Sequence, residues 1–369
     1  MQKVVTNLLK SLVLCALGAL LVTLRYVLRT PQPLEITLPG EPHLYKWIHG
    51  HIHYTVLGEA DAPPIVLLHA PEIGASSYEM RAIVAKLAQR YRVYALDLLG
   101  FGLSDHPDIN YSANTYIALY QDFLVNVVAR PATLLASGLS CNYCVALATR
   151  APDLCERLIF LSPLPLFEGE SKEHWLIDLV QLPLVGLVLY AFLTTPMILR
   201  PLLSRRQGLC EGQVAESDFQ AVDAAAHQLG AERAALAAIC GKLALNVSCQ
   251  LERLQQPTLI VWGAQALVQT HLLPDQLAMP QRTQIVLIQD AGSHVQEIRP
   301  EQVVANILDW QAVSSNIPAE VETVEAYCVK CRNKRPMHEP KEVATKNGRR
   351  ALEGTCPICG VRLFRFIAA

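Results

Sequence analysis

Charge is scarce in this chain. Asp, Glu, Lys and Arg make up only 17% of its 369 residues, against 51% hydrophobic residues. That balance supports a large buried core and excludes wholesale disorder. With 19 glycines and 23 prolines it cannot be collagen-like. A disulfide-scaffold rhythm is also missing. Seven of the eleven cysteines (Cys15, Cys141, Cys144, Cys155, Cys210, Cys240, Cys249) are scattered through apolar or helical sequence. The other four form two C-x-x-C pairs, Cys328/Cys331 and Cys356/Cys359, a metal-type usage that points to a reducing compartment. The length exceeds one typical domain of ~100–200 residues. The net charge of −2 hides an asymmetry: from Ala326 onward there are ten Lys/Arg against three Asp/Glu, and before it 21 against 30. Two differently charged parts share the chain.

The longest apolar stretches lie at the N-terminus and in the middle. Ser11–Leu24 carries no charge, with Lys3 and Lys10 before it and Arg25 and Arg29 after. Fourteen residues are short for a span of ~20, but snorkelling of Lys10 and Arg25 extends the segment to Leu8–Leu28. No A-x-A site follows, so an uncleaved anchor in residues 1–34 is expected rather than a signal peptide. Basic residues flank it about equally, leaving its orientation open. A second uncharged run, Leu179–Leu199, contains Pro183 and Pro196.

From about Glu35 short β-rich runs alternate with helical stretches, the pattern of a mostly parallel sheet. Ile65–His69, Val93–Leu96, Thr133–Ala136, Leu158–Leu161, Leu259–Trp262 and Gln284–Ile288 read as buried strands. Tyr78–Arg90, Asn114–Val128 and Val145–Arg150 read as helical. The strings LLHAPEIGASSYEMR, YALDLLGFGLSDHP, LLASGLSCNYCVALATRAP, PTLIVWG and DAGSHVQEIRPEQVVANILDW, in that order, resemble the α/β-hydrolase superfamily. The resemblance covers residues 35–311. It implies the α/β-hydrolase fold, a mostly parallel sheet with helices on both faces. The insertion at about 163–256 then becomes a helical cap, with Leu179–Leu199 a cap helix pair facing substrate or lipid.

A nucleophile elbow needs Ser on a tight strand-to-helix turn with small neighbours. Gly138-Leu139-Ser140-Cys141-Asn142 offers Ser140, although Asn142 stands where a second Gly is expected. Ser rather than Asp points to ester or related acyl substrates. The resemblance implies His294, after the last strand, as general base. No carboxylate follows Gly263 where the resemblance implies the acid, so Glu168, Glu170 and Gln265 remain as replacement acid or orienter. The oxyanion loop reads His69-Ala70-Pro71, and proline has no N–H to donate. Glu72 and Cys141 N–H groups are the remaining oxyanion candidates. Cys141-Asn142-Tyr143-Cys144 is itself a C-x-x-C at a helix start, but its setting in the elbow outweighs a redox reading.

Residues 312–325 turn polar and acidic and read as a linker to a small domain at 326–369. Two C-x-x-C knuckles, Cys328/Cys331 and Cys356/Cys359, supply four thiolates for tetrahedral Zn²⁺, with iron the alternative. So small a domain buries little apolar surface, and metal binding would largely drive its folding. The segment resembles a short bacterial zinc-ribbon family of unknown function, carrying A-Y-C-V-K-C-R at its start and G-T-C-P-I-C-G near its end. Its basic surface suits an anionic partner, lipid headgroups or the acidic body ahead of nucleic acid.

The expectation is a membrane-anchored serine hydrolase for a hydrophobic small-molecule ester, with a zinc ribbon and no cofactor in the hydrolase domain. The ribbon and hydrolase domain would be cytoplasmic. The alternative is a catalytically impaired scaffold that binds a lipid-like ligand, with the ribbon as its partner-binding module.

Overall fold

The computed structural model describes residues 17–18, 20–31, 33–34, 38–163, 180, 182–210, 212–270, 282–314, 325–331, 333–344, 350–356 and 359–366. The chain divides into two compact units, Met1–Trp310 and Gln311–Ala369.

The first unit is built on an eight-stranded sheet in the order β1-β2-β4-β3-β5-β6-β7-β8. Its strands are β1 (Glu41–Trp47), β2 (Gly50–Leu57), β3 (Pro64–Leu68), β4 (Arg92–Leu96), β5 (Ala132–Ser137), β6 (Cys155–Leu161), β7 (Thr258–Gly263) and β8 (Thr283–Ile288). The pairings β1/β2 and β2/β4 are antiparallel, and every pairing from β4 to β8 is parallel. β3, β5 and β7 are buried at every position, because helices cover both faces of a parallel sheet. Alternation sorts their side chains between two cores. Leu134, Phe160 and Trp262 join one face with Tyr116, Phe123 and Tyr143. Leu135, Ile159 and Val261 join the other with Ile83, Leu87 and Val303.

The helices that place the site are α1 (Arg81–Leu87), α2 (Ala113–Phe123) and α3 (Ser140–Arg150), with α8 (Val295–Ile298) and α9 (Pro300–Ser314) closing the chain against the sheet. α2 starts on a capping box in which Ser112 and Thr115 satisfy each other's backbone N–H groups. Between β6 and β7 lie the cap helices α4 (Pro183–Leu193), α5 (Pro196–Gln207), α6 (Glu216–Ala226) and α7 (Ala231–Ile239). Cap and body are tied by the Tyr143 hydroxyl donating to the Leu243 carbonyl and the Asn142 amide donating to that of Leu245, both 2.8 Å. Asn142, where a glycine is expected, therefore serves as a cap tether.

Residues 20–27 are helical and rest on the cap through Tyr26 and Arg29. Residues 1–16, which hold part of the expected anchor, lie outside the described residues. Among the described residues no single helix is long and apolar enough to cross a membrane. Leu184–Leu193 and Pro196–Gln207 meet such a test only jointly and are bent by 67°.

The second unit holds a two-stranded sheet, β10 (Asn333–Pro336) on β9 (Glu325–Cys328), and a three-stranded sheet β11 (His338–Ala344), β12 (Arg350–Thr355), β13 (Arg362–Phe366). Its small core contains Ala326, Cys328, Met337, Cys356 and Leu363.

Candidate active site

The turn from β5 into α3 is the centre of the site, and its left-handed residue is Gly138 (φ 54°). A Cβ at this position would stand 3.0 Å from the Ala70 Cβ and 3.9 Å from Glu72 Oε1, directly under the loop that follows β3. This is where a strand–turn–helix frame exposes a nucleophile, and the residue there has no side chain. Ser140 lies two residues later, as the first residue of α3. It is fully buried, donates to the His69 carbonyl at 2.6 Å and accepts from the Tyr120 hydroxyl at 3.0 Å. The assignment of Ser140 to the tip of the elbow is thus corrected. The tip needs positive φ, which glycine adopts without cost, and the serine is used to fasten α3 to β3.

Both expected oxyanion donors are engaged. The Cys141 N–H donates to the Gly138 carbonyl at 3.3 Å, and the Glu72 N–H to the Ala70 carbonyl at 3.0 Å. The Ala70 N–H goes to Glu79 at 3.2 Å. Among the described residues no hydrogen bond engages the N–H of Leu139, the residue after the tip. Cys141 and Cys144 are buried, and burial pushes both thiols well above their ordinary value, so this C-x-x-C is structural.

His294 does occupy the loop after β8, held by its N–H donating to the Arg206 carbonyl of α5 at 2.9 Å. Its ring lies between carboxylates: Nε2 is 3.8 Å from Glu72 and Nδ1 is 3.8 Å from Glu297. These are ion-pair distances rather than hydrogen bonds. Burial alone would lower the pKa of His294, but Glu297, Glu79 and Glu72 together raise it to about 9. The ring is therefore an imidazolium at neutral pH. Burial opposes ionisation of Glu297 as well, yet His294 and Arg81 bring it to about 2. Glu297 is the carboxylate beside His294 Nδ1 that motif matching missed. It lies one helical turn beyond His294, where a local i,i+3 search would have found it. Gln265 is exposed, and no contact joins it to His294 among the described residues. Glu168 and Glu170 lie outside the described residues.

The side chain of Glu72, one quarter exposed, forms an ion pair with Arg206 at 2.7 Å. Burial works against its charge, but Arg206 and then His294 and His69 hold its carboxyl below the usual range. Glu79, accepting from Gln296 at 2.7 Å, is pushed up to about 7 by burial, against the pull of His294. Arg81 bridges Glu297 (2.9 Å) and Asp218 of the cap (2.6 Å), and Gln207 donates to Glu297 at 2.7 Å. The cap is thereby bolted to the histidine loop by charge.

In the second unit the four Sγ atoms of Cys328, Cys331, Cys356 and Cys359 lie within 4.8 Å of one another. Cys328–Cys359 is 3.4 Å and Cys331–Cys356 is 3.9 Å. Thiolates at ~2.3 Å from a tetrahedral Zn²⁺ would be about 3.8 Å apart, so the donor set fits that ion. The Cys331 N–H donates to the Cys328 sulfur at 3.4 Å, as a knuckle requires.

A left-handed strand–turn–helix tip, a loop over it after β3 and a histidine after the last strand define the catalytic frame of an α/β hydrolase. The Alpha/beta hydrolase family model matches residues 65–306, and the chain belongs to that family. Residues 327–366 match a domain of unknown function (DUF5679). The uncharacterized protein Rv2715 of Mycobacterium tuberculosis (strain ATCC 25618 / H37Rv) is 32% identical over 157 residues, 42% of this chain and 43% of its own length. The alignment thus spans less than half of that relative. The 2-(acetamidomethylene)succinate hydrolase of Mesorhizobium japonicum (strain LMG 29417 / CECT 9101 / MAFF 303099) is 24% identical, covering 70% of this chain and 93% of its own. Among solved structures, the epoxide hydrolase CorEH without ligand superposes with a TM-score of 0.61 at 19% identity, over 74% of this chain and 99% of that one.

Proposed function

We propose that the first unit hydrolyses an ester or related acyl bond of a small hydrophobic substrate without forming an acyl-serine. The observation that carries this reading is the bare turn at Gly138 with the Glu72 carboxylate beside it and His294 against Glu72. In this scheme Glu72 accepts a proton from water, and the resulting hydroxide adds to the carbonyl carbon. The Leu139 N–H stabilises the oxyanion. His294, already protonated, gives its proton to the departing alkoxide as the acyl C–O bond breaks. The proton on Glu72 then passes to His294, restoring both groups, and ester plus water has become acid plus alcohol. Glu297 keeps the imidazole charged and oriented; it is a positioning residue.

A second reading, ligand binding without turnover, is favoured by the Arg206–Glu72 pair, which weakens the carboxylate as a base. One experiment separates the two. A panel of aryl and alkyl esters is screened with the full chain, beside fluorophosphonate labelling. Hydrolysis of at least one ester is expected, with no labelling of wild type, and Glu72→Gln should lower kcat by about 10²-fold or more, the scale of general-base catalysis. Labelling that vanishes in Ser140→Ala would restore the covalent serine. Thermal stabilisation by esters that are never turned over would establish the binding reading.

The ribbon is proposed to hold one structural Zn²⁺, which would fasten β9 to the β12–β13 edge through its four cysteines. Its cations would meet an anionic partner, with nucleic acid disfavoured. The N-terminal apolar segment is proposed to attach the chain to a membrane, with both units on the cytoplasmic side. Support for that attachment comes from the charge-free run at residues 11–24.

A further inference from the structure

The helix at residues 20–27 has its polarity reversed relative to a helix of a water-soluble surface. Its inward side carries Tyr26, whose ring meets Tyr190 of α4 at 5.6 Å and whose hydroxyl donates to Glu232 at 3.3 Å. Just beyond it Arg29 pairs with Asp223 of α6 at 2.5 Å. The outward side presents Leu17, Leu20, Leu21, Leu24 and Leu28, all exposed. Such a helix normally turns charge outward and leucine inward. The cap helices it touches do the same thing. α4 buries Tyr190 and Ala191 but exposes Leu184 (76%) and Phe192, and Met197 at the start of α5 is 84% exposed.

Charge separates these two segments from the rest of the chain. Residues 1–30 hold four Lys/Arg and no Asp/Glu, and residues 179–207 hold three Lys/Arg and no Asp/Glu, in a chain whose acids outnumber its bases 33 to 31. On the N-terminal helix Arg25 is exposed and makes no ion pair among the described residues, whereas Arg200 of α5 is paired with Glu216 and Arg205 stands in the last turn of α5. Exposed leucines beside an unpaired cation match the chemistry of an anionic bilayer surface, acyl chains beneath phosphates.

We propose that the tip of the cap, α4 and the start of α5, forms one membrane-docking surface with the N-terminal helix, and that its partner is a bilayer containing anionic lipid. The proposal rests on membrane attachment by the N-terminal segment and extends it to the cap. Tyr26 and Arg29 are the coupling: they fix the helix to α4 and α6, so that attachment of one brings the other to the lipid.

The test uses the full, zinc-loaded chain, with vesicles of phosphatidylcholine with or without phosphatidylglycerol. Flotation reports attachment. In a Trp175→Phe background, Phe192→Trp adds an emitter at the cap tip, and acyl-brominated lipids then report depth; the remaining Trp47, Trp262 and Trp310 are buried and serve as background. Expected are flotation favoured by phosphatidylglycerol, and several-fold more bromolipid quenching of Phe192→Trp than of the Trp175→Phe background alone. Leu184→Glu/Met197→Glu, at side chains that are 76% and 84% exposed, should suppress that quenching with melting unchanged. If wild type fails to float, the attachment and the proposal both fall. Flotation without added quenching of Phe192→Trp leaves the attachment standing and overturns the cap surface. Concentration-dependent shielding of that emission without vesicles overturns it in favour of a second copy of the chain.

Discussion

Gly138 has no side chain at the one backbone position where this fold displays its nucleophile, and that makes it the most direct place to intervene. Serine at φ 54° costs about 1–2 kcal/mol, and its Cβ presses on Ala70 at 3.0 Å, so the loop has to yield by a few tenths of an ångström. Gly138→Ser should fold with a lowered Tm. It should remain inert to fluorophosphonate at neutral pH, because a charged His294 cannot take the serine proton. Labelling should rise as pH passes about 9, where His294 loses its charge. The same histidine sets a stability signature. Its folded pKa lies above the ordinary 6.5, so its contribution is complete below that value and lost as pH rises through about 9. The loss amounts to about 3.5 kcal/mol at most, at ~1.4 kcal/mol per unit. Glu79, raised from 4.5 to about 7, has the same sign but its contribution is already lost by neutral pH, so the alkaline fall belongs to His294. Tm of the first unit should therefore fall from neutral to alkaline pH, and the fall should be shallower in His294→Gln.

At the scale of elements, the loop after β8 is locked against the end of β7 and against α5. A Cβ on Gly263 would run into the carbonyl oxygens of Gly292 and Ala291, backbone atoms that cannot swing away. Gly263→Ala should thus displace the histidine loop and destabilise by more than about 2 kcal/mol, the range of overpacked cores. Urea denaturation measures this, and a cost within error of zero would mean the loop is free to move. The five inner strands β3 to β7 were legible because each is a continuous apolar run, whereas Gln284–Ile288, expected to be buried, is a strand but the edge of the sheet, with only Ile288 buried. The β1–β2 hairpin was not legible, since His43, His51 and His53 interrupt its alternation and much of β1 is exposed. The turn was found correctly as a segment but its tip was misplaced by two residues. Serine and glycine both satisfy a small-residue motif, and only φ distinguishes them.

Across the whole molecule, the two units have different sources of stability. The first buries two extensive apolar layers, whereas the core of the second is a handful of residues that includes its own cysteines. A strong chelator should abolish the thermal transition of the second unit and leave that of the first in place. Elemental analysis should find one zinc per chain; loss of both transitions together would refute independent stabilisation.

The sequence by itself determined what rests on local composition and spacing. The parallel sheet follows from apolar runs, the zinc-type cysteine set from two C-x-x-C pairs, and the histidine from its place after the last strand. Tertiary structure alone decided the chemistry of the site. Glu72, Glu79, Arg81 and Arg206 come from the β3 loop, the helices beside it and the cap, and no spacing rule connects them to His294; only Glu297 is its local i,i+3 neighbour. The convergence of the carboxylates in a buried space is what raises the pKa of His294 against the effect of its burial. Coulombic interaction depends on distance and dielectric, which the order of residues does not specify.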